Sequence, residues 1–540
     1  MKLKVEWRAS LSLVGRVVKY LTVAFIVPIL TGFIYGDAFV PYILPFFVAA
    51  GVAIVLGTAM ERLDPDPDLR AREGFLMVAL TWLFVSLVGT IPYLLEGLTF
   101  QDGQFVYLTT SSLHNPWNAL FETMSGFTTT GATVMGDISF ETHSRALMMW
   151  RQQTQWLGGM GIVVLAVAIL PELSVGGAQL MDAEAPGPGI EKLTPRIAET
   201  ARALWVIYAG ITVLEMVLLY GLNVAGMAPN MTPYNAIAHG FTTMATGGFS
   251  PEARSIEAFS AAVQWLIIPF MAAAGTNFAL FWHLSTGDWR TLVEDAEFRF
   301  YAALLGALSL ILALFLYLDP GLSNAAETSL YDGVNPTFIG YTFPVTGDIE
   351  SSLRHAVFQV VSLVTTTGYA SMDFNAWGGP AQYALVIAMF IGGSAGSTGG
   401  AIKIIRWLVI LKSVKRELFS TVHPNAVRPV RLAGRPIDER ALRGIYTFTL
   451  LYLSLFFLST LVLMLDASLF GPEGLTAIEA MTAVAATLGN IGPGLDLVGP
   501  MNSYIDFTPQ AKVFMVALMW IGRLEIFPVL VLLTNAYWRS

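Results

Sequence analysis

Long apolar runs recur along the chain, with polar residues gathered between them. Stretches of the length needed to cross a bilayer core of about 30 Å fall at roughly 11–34, 38–60, 74–97, 144–171, 199–225, 258–284, 297–318, 380–414, 441–466 and 508–537. The pattern predicts ten membrane-spanning helices. Shorter apolar stretches lie between some of them, at 116–127, 233–245, 351–364 and 472–487. Each starts near a Pro or an acidic residue and ends in Thr and Gly. Helices of this length reach only about 18–24 Å at 1.5 Å per residue. They read as half-helices that enter the membrane and return.

A short loop follows each half-helix. The four loops read Thr128-Thr129-Thr130-Gly131, Thr246-Gly247-Gly248, Thr365-Thr366-Thr367-Gly368 and Asn490-Ile491-Gly492. Their last glycines are 117, 120 and 124 residues apart (248 − 131, 368 − 248, 492 − 368). The unit is a span, a half-helix and a second span, repeated four times after two extra helices. It divides the chain into 1–62, 63–190, 191–290, 291–425 and 426–540. A single Thr-Gly loop would be an ordinary helix cap; four at a near-constant period are not. Non-helical backbone at membrane depth is tolerated only inside protein or along a water-filled path. Rings of backbone carbonyls that replace a hydration shell are one use of such loops. The candidate lining is Thr129, Thr130, Gly131, Thr246, Gly247, Gly248, Thr366, Thr367, Gly368, Asn490, Ile491 and Gly492.

Composition agrees with a membrane protein. Of 540 residues, 55% are hydrophobic and 13% charged, about half the charged share of soluble domains. The net charge of −9 matters less than its placement. With the N-terminus inside, the inside loops hold Arg62, Arg70 and Arg72, then Lys192, Arg196 and Arg202, then Arg290 and Arg299. The longest, 412–443, adds Lys412, Lys415, Arg416, Arg428, Arg431, Arg435, Arg440 and Arg443. Outside segments 99–143, 319–353 and 467–505 have no Lys or Arg, and 226–257 has only Arg254. This asymmetry predicts both termini on the cytoplasmic side. The N-terminal run is long and lacks a small-residue cleavage site, so it reads as a retained helix. There is no cysteine, hence no thiol chemistry.

The stretch 380–414 would make about 52 Å of helix, far more than the membrane needs. Its centre is Gly392, Gly393, Ser394, Ala395, Gly396, Ser397, Thr398, Gly399 and Gly400. Glycine costs about 1 kcal/mol per helical position, so a non-helical segment is expected there, placed to act as a gate. It is not a phosphate-binding loop, because Lys403 does not follow Gly in the required order. Lys403 and Arg406 read equally well as snorkelling anchors or gating groups. Arg523, in the middle of the last span beside Glu525, is expected to face the pore as a barrier or latch, since intramembrane charge usually faces a cavity or a partner. Asn277 and Gly158-Gly159-Met160-Gly161 read as helix-packing positions. The six histidines form no metal motif and read as structural. Asp102, Glu122, Asp137, Glu141, Asp332, Asp348 and Glu350 either concentrate cations at the outer mouth or are simply solvated.

Several longer motifs carry a resemblance. FETMSGFTTTGATV (121–134), QWLGGMGIVVLAVAILPEL (155–173), MDAEAPGPG (181–189), GGSAGSTGGAIKIIR (392–406) and GRLEIFPVLVLL (522–533) are similar to the Trk/Ktr/HKT superfamily of potassium transporters, over nearly the whole chain. The resemblance implies an all-α polytopic fold with a pseudo-tetrameric pore, potassium as transported substrate without a covalent cofactor, and a bacterial inner-membrane location. It also implies a homodimer and a cytosolic nucleotide-binding regulatory subunit (TrkA-like). In plant relatives a Ser at the position of Gly131 is associated with sodium. The second and fourth loops depart from Thr-Thr-Thr-Gly, so a sodium-permeable or poorly selective cation transporter stays open beside potassium uptake. An enzyme is disfavoured for want of a convergent catalytic set, a membrane scaffold because it would not need four re-entrant loops, and nucleic-acid binding by composition.

Overall fold

The computed structural model describes residues 5–64, 71–164, 197–319, 345–426, 428–471 and 474–539. Arg70, Lys192, Arg196, Asp332, Pro472 and the tail of the 144–171 span lie outside the described residues. Helices dominate. Two hairpins, Leu98–Gln101 with Gln104–Tyr107 and Arg431–Leu432 with Arg435–Pro436, supply the strands among the described residues.

Among the described residues, six helices are long and apolar enough to cross a bilayer unaided: Trp7–Tyr35, Phe39–Glu61, Arg72–Leu95, Ala201–Val224, Ala296–Leu318 and Glu439–Phe470. The other four expected spans depart from that simple form. Arg145–Val164 is continuous but polar, with Arg151, Gln152, Gln153, Thr154 and Gln155 all buried. The 258–284 span bends by 100° between Ala261–Ala274 and Phe278–Ser285. Asn277 caps the second piece by accepting from the Ala279 N–H at 2.9 Å, so it starts a helix and is more than a packing position. The 380–414 span divides into Gly379–Ala388 and Ile404–Val422, with non-helical backbone between them. The 508–537 span divides into Pro509–Arg523 and Phe527–Leu532. Glu525 and Ile526 hold left-handed φ of 57° and 64° at that break, and Pro528 opens the next helix, a position where its missing N–H costs nothing. Arg523 therefore ends a helix instead of sitting mid-span.

The four short helices are Pro116–Phe127, Pro233–Met244, Ile349–Val364 and Ala477–Leu488. Each starts on a polar cap. The side chains of Asn115, Thr232, Asp348 and Thr476 accept from backbone N–H groups of the first turn, which satisfies donors the helix leaves unpaired. These helices fill the centre: Phe121, Met124, Ala238, Phe358 and Ala483 are buried, while Val23, Ile26, Phe33 and Leu461 of the long helices are exposed. An apolar exterior around a centre rich in Thr and Gly suits lipid as solvent.

Candidate ion pathway

All four short helices end alike. The N–H groups of Thr130, Gly247, Thr367 and Ile491 donate back five residues, to Ser125, Thr242, Ser362 and Ala486 carbonyls, at 2.8–2.9 Å. The residue before each is left-handed: φ is 52° at Thr129, 50° at Thr246, 60° at Thr366 and 54° at Asn490. The glycine after each is left-handed too, at 81°, 77°, 80° and 105° for Gly131, Gly248, Gly368 and Gly492. The middle residue is not. Alternating handedness turns successive carbonyls towards one side of a strand. A β-branched residue in this region is a rare and strained choice, costing on the order of 1–3 kcal/mol. Three threonines adopt it here.

The loops meet in a closed ring. A Cβ added to Gly131 would lie 2.2 Å from the Gly247 carbonyl oxygen, and one on Gly248 2.0 Å from that of Thr367. On Gly368 it would lie 1.9 Å from the Ile491 oxygen, and on Gly492 2.8 Å from the Thr130 oxygen. Each glycine thus abuts the middle carbonyl of the next loop, and the fourth returns to the first. A cavity of about 60 Å³ is lined by all four glycines, room for a few water molecules at roughly 10–15 Å³ each.

Hydroxyls and amides brace the ring. Thr128 and Thr130 share a hydrogen bond of 2.8 Å, and Thr365 and Thr367 one of 2.7 Å. Asn490 Nδ2 donates to Thr130 Oγ1 at 2.9 Å, tying the fourth loop to the first. His239 and His355 hydrogen-bond Ser250 and Ser371, just past the second and third loops. Among the described residues, Thr129 Oγ1 and Asn490 Oδ1 are buried without a hydrogen-bond partner. Glu252, which lines the same cavity, accepts from Asn235 at 2.9 Å; burial raises its carboxyl above the usual range, and the Asn235 amide pulls it back.

Glu122 does not belong with the mouth acids. It is fully buried and pairs with Arg151 Nε at 2.7 Å, while also accepting from Thr133 Oγ1 and from Val134 N at 2.9 Å. Arg151 donates on to Ser250 O at 3.0 Å. Removing one partner of a buried pair costs about 3–5 kcal/mol. Glu122→Ala is accordingly expected to lower the melting midpoint of solubilised protein clearly. Glu141→Ala, at an exposed site, should shift stability by less than about 0.5 kcal/mol.

The glycine-rich segment lies directly against the ring. Gly400 N donates to Thr366 Oγ1 at 2.7 Å and Ala401 N to Gly489 O at 2.9 Å. Thr398 Oγ1 donates to Ala274 O at 3.0 Å and Met244 O at 3.2 Å. Ser394 N donates to Gly275 O at 2.8 Å, Phe278 N to Gly396 O at 3.1 Å, and Ala395 N to Glu297 Oε1 at 2.8 Å. Gly392 is held by its N–H to Ile402 O at 2.8 Å, and Gly393 O accepts from Ile404 N at 3.1 Å. Ser397 Oγ donates to Ser394 O at 2.7 Å, and Gly399 O accepts from Lys403 Nζ. Arg523 Nη1 donates to Thr398 O at 2.7 Å, and its Nη2 reaches Gly158 O at 3.4 Å. Arg406 pairs with Glu525 at 2.6 Å and stacks over Phe448 at 3.6 Å. Lys403 and Arg406 are both buried, so snorkelling to the surface does not describe either. Gly158 and Gly159 do pack: a Cβ would meet Phe127 O at 1.9 Å and Ala245 Cα at 2.7 Å.

Sequence reading alone missed Gln155, Glu297 and the Glu122–Arg151 pair. For Arg151 and Gln155 the sequence signal is a run of five polar residues, 151–155, inside an otherwise apolar stretch; Glu122 and Glu297 carry no such signal.

A helical protein with membrane-length apolar helices, whose four glycine-ended loops close into a ring around one small cavity, has the frame of a membrane transport protein. The chain belongs to the TrkH family of cation transport proteins, whose family model matches residues 45–540. It is 37% identical to a Trk system potassium uptake protein TrkH of Halomonas elongata, over 99% of both chains. Identity to the Escherichia coli K12 protein of that name is 36%, over 99% of this chain and all of the other. The crystal structure of the potassium transporter TrkH from Vibrio parahaemolyticus matches with a TM-score of 0.80 at 32% identity, covering 99% of this chain and 100% of that one. The family is one of transporters, not enzymes.

Proposed function

We propose that this chain takes up potassium across the bacterial cytoplasmic membrane, along a path lined by the twelve loop residues. The observation that carries this reading is the closed order of contacts, Gly131 to Gly247, Gly248 to Thr367, Gly368 to Ile491 and Gly492 to Thr130. A ring of that kind supplies several oxygens at once to an ion that must shed water. The unpartnered Thr129 Oγ1 and Asn490 Oδ1 fit a cation or its water as the missing partner. The carbonyl ends of four short helices add partial negative charge at the same place. The names of the relatives support potassium as cargo.

In this reading 392–400 is the gate, pinned by Arg523, and the repeats divide the chain at about 63, 191, 291 and 426. Both termini face the cytoplasm, two copies form the working unit, and a nucleotide-binding cytosolic subunit docks on the basic 412–443 segment. A poorly selective or sodium-permeable transporter is the second reading. It is favoured by the unequal loops, with Gly247 and Ile491 where the others have Thr. Flux into liposomes carrying the purified protein separates the two. Potassium and rubidium are expected to enter well ahead of sodium. Equal rates would establish the second reading, and no flux of any of the three would remove both.

A further inference from the structure

Position two of the ring holds Thr130, Gly247, Thr367 and Ile491. In the first and third loops the Thr side chain is bonded within its own loop. The second loop has no side chain there, yet its space is filled. A Cβ on Gly247 would lie 2.3 Å from Gln155 Cδ. Gln155 comes from Arg145–Val164, a different repeat, and is fully buried. Its Nε2 donates to Gly247 O at 2.6 Å, and its Oε1 accepts from Phe249 N at 3.0 Å. The amide thus spans Gly248 and is satisfied at both ends. Among the described residues, no hydrogen bond reaches the matching carbonyls of Thr130, Thr367 and Ile491.

Gln155 is part of a stripe. Arg151, Gln155 and Gly159 are spaced by four and share one helix face. Along that face Arg151 donates to Ser250 O, Gln155 holds Gly247 and Phe249, and Gly159 packs on Ala245. One helix of the first repeat therefore grips the second loop along its length. A carbonyl oxygen has two lone pairs, so Gly247 O can accept from Gln155 and still meet an ion.

We propose that Gln155 is a specificity-determining positioning residue: it replaces, from another repeat, the side chain that the second loop lacks, and fixes the direction of the Gly247 carbonyl. Gly247 and Gln155 are then one device in two parts, and neither is free to change alone. This rests on the reading of the loops as the ion path. Gln155→Leu keeps the volume and removes both hydrogen bonds. Gln155→Glu keeps an acceptor for Phe249 N and removes the donor to Gly247 O.

The test is the potassium-to-sodium flux ratio in liposomes, on variants that stay monodisperse with a melting transition. Gln155→Leu and Gln155→Glu are each expected to lower the ratio about tenfold, a differential of ~1.4 kcal/mol. Gly247→Thr alone, which forces a side chain against Gln155, is expected to lower it similarly. The double variant Gln155→Ala with Gly247→Thr, which gives the second loop its own hydroxyl, is expected to return to within about threefold of wild type. A merely structural role would leave the ratio unchanged in folded protein and would show no mutual rescue. Folded Gln155 variants with the wild-type ratio, or a double variant no better than the worse single one, would overturn the proposal. If the wild-type protein itself shows no preference for potassium, the reading of the loops fails first, and the two failures are thereby told apart.

Discussion

Gly368→Ala is expected to reduce the potassium-to-sodium ratio further than the same change at any other glycine of the ring. Two costs add. At φ of 80° a side chain is disfavoured by roughly 1–2 kcal/mol. The new methyl would also lie 1.9 Å from Ile491 O, a distance no packed carbon tolerates, and the obstacle is backbone. The loop must therefore move, and Ile491 O with it. Gly248→Ala and Gly131→Ala should follow, with contacts of 2.0 and 2.2 Å; at Gly492 the contact is looser, 2.8 Å, which outweighs its larger φ of 105° only in part. A displacement costing about 1.4–2.7 kcal/mol of ion preference corresponds to about 10- to 100-fold in the ratio; at Gly492 a severalfold loss is expected. Gly131→Ser combines the same strain with a hydroxyl at the ring and should fall with Gly131→Ala. The measurement is liposome flux of potassium and sodium on folded, inserted variants. Wild-type ratios in all of them would show that these loops do not set selectivity.

The short helices were legible because their signals are local. A capping residue, about a dozen residues of apolar character and a final Gly lie within one stretch of sequence. The 116–127 boundaries agree with the helix itself, and 351–364 begins two residues inside it. The long break in 380–414 was legible for the same reason, since a glycine-rich segment weakens a helix wherever it stands. The breaks at 275–277 and 524–526 were harder to see. Their causes are partly remote: Gly275 O and Phe278 N bond the 392–400 segment, and Glu525 turns to meet Arg406. Local hints existed in Pro269, Gly275 and Pro528, but apolar periodicity outweighs single residues. Glu122 shows the same limit. Its pattern places it on an outside segment, and only the fold reveals that Arg151, 29 residues on, buries it. Gln155 is the extreme case. Its partners, Gly247 and Phe249, are 92 and 94 residues away, and nothing along the chain connects an amide on one helix to a missing side chain in a loop so distant in sequence.

Arg523→Ala is expected to raise resting rubidium flux by about tenfold or more. Arg523 is buried, and its Nη1 donates to Thr398 O at 2.7 Å. Thr398 is in the glycine-rich segment and also bonds Ala274 and Met244 carbonyls. A hydrogen bond from a charged group contributes about 1.5–3 kcal/mol. Losing that share of a two-state balance moves the open fraction by about 10- to 100-fold while it remains small. A second effect acts in the same direction on the proposed path, where a buried positive charge at Arg523 would repel a cation. Arg523→Lys separates the two. Lysine keeps the charge but lacks the planar fork that reaches both Thr398 O and Gly158 O. If the arginine is mainly a latch, Arg523→Lys should leak nearly as much as Arg523→Ala. If it is mainly a barrier, Arg523→Lys should stay close to wild type. Deleting Ser397, Thr398 and Gly399 should leak more than either, since it shortens the proposed gate and removes the Thr398 anchor. Resting flux unchanged in all three variants would place the gate elsewhere, and would leave the Arg523–Thr398 bond and the Gly400–Thr366 bond as scaffold alone.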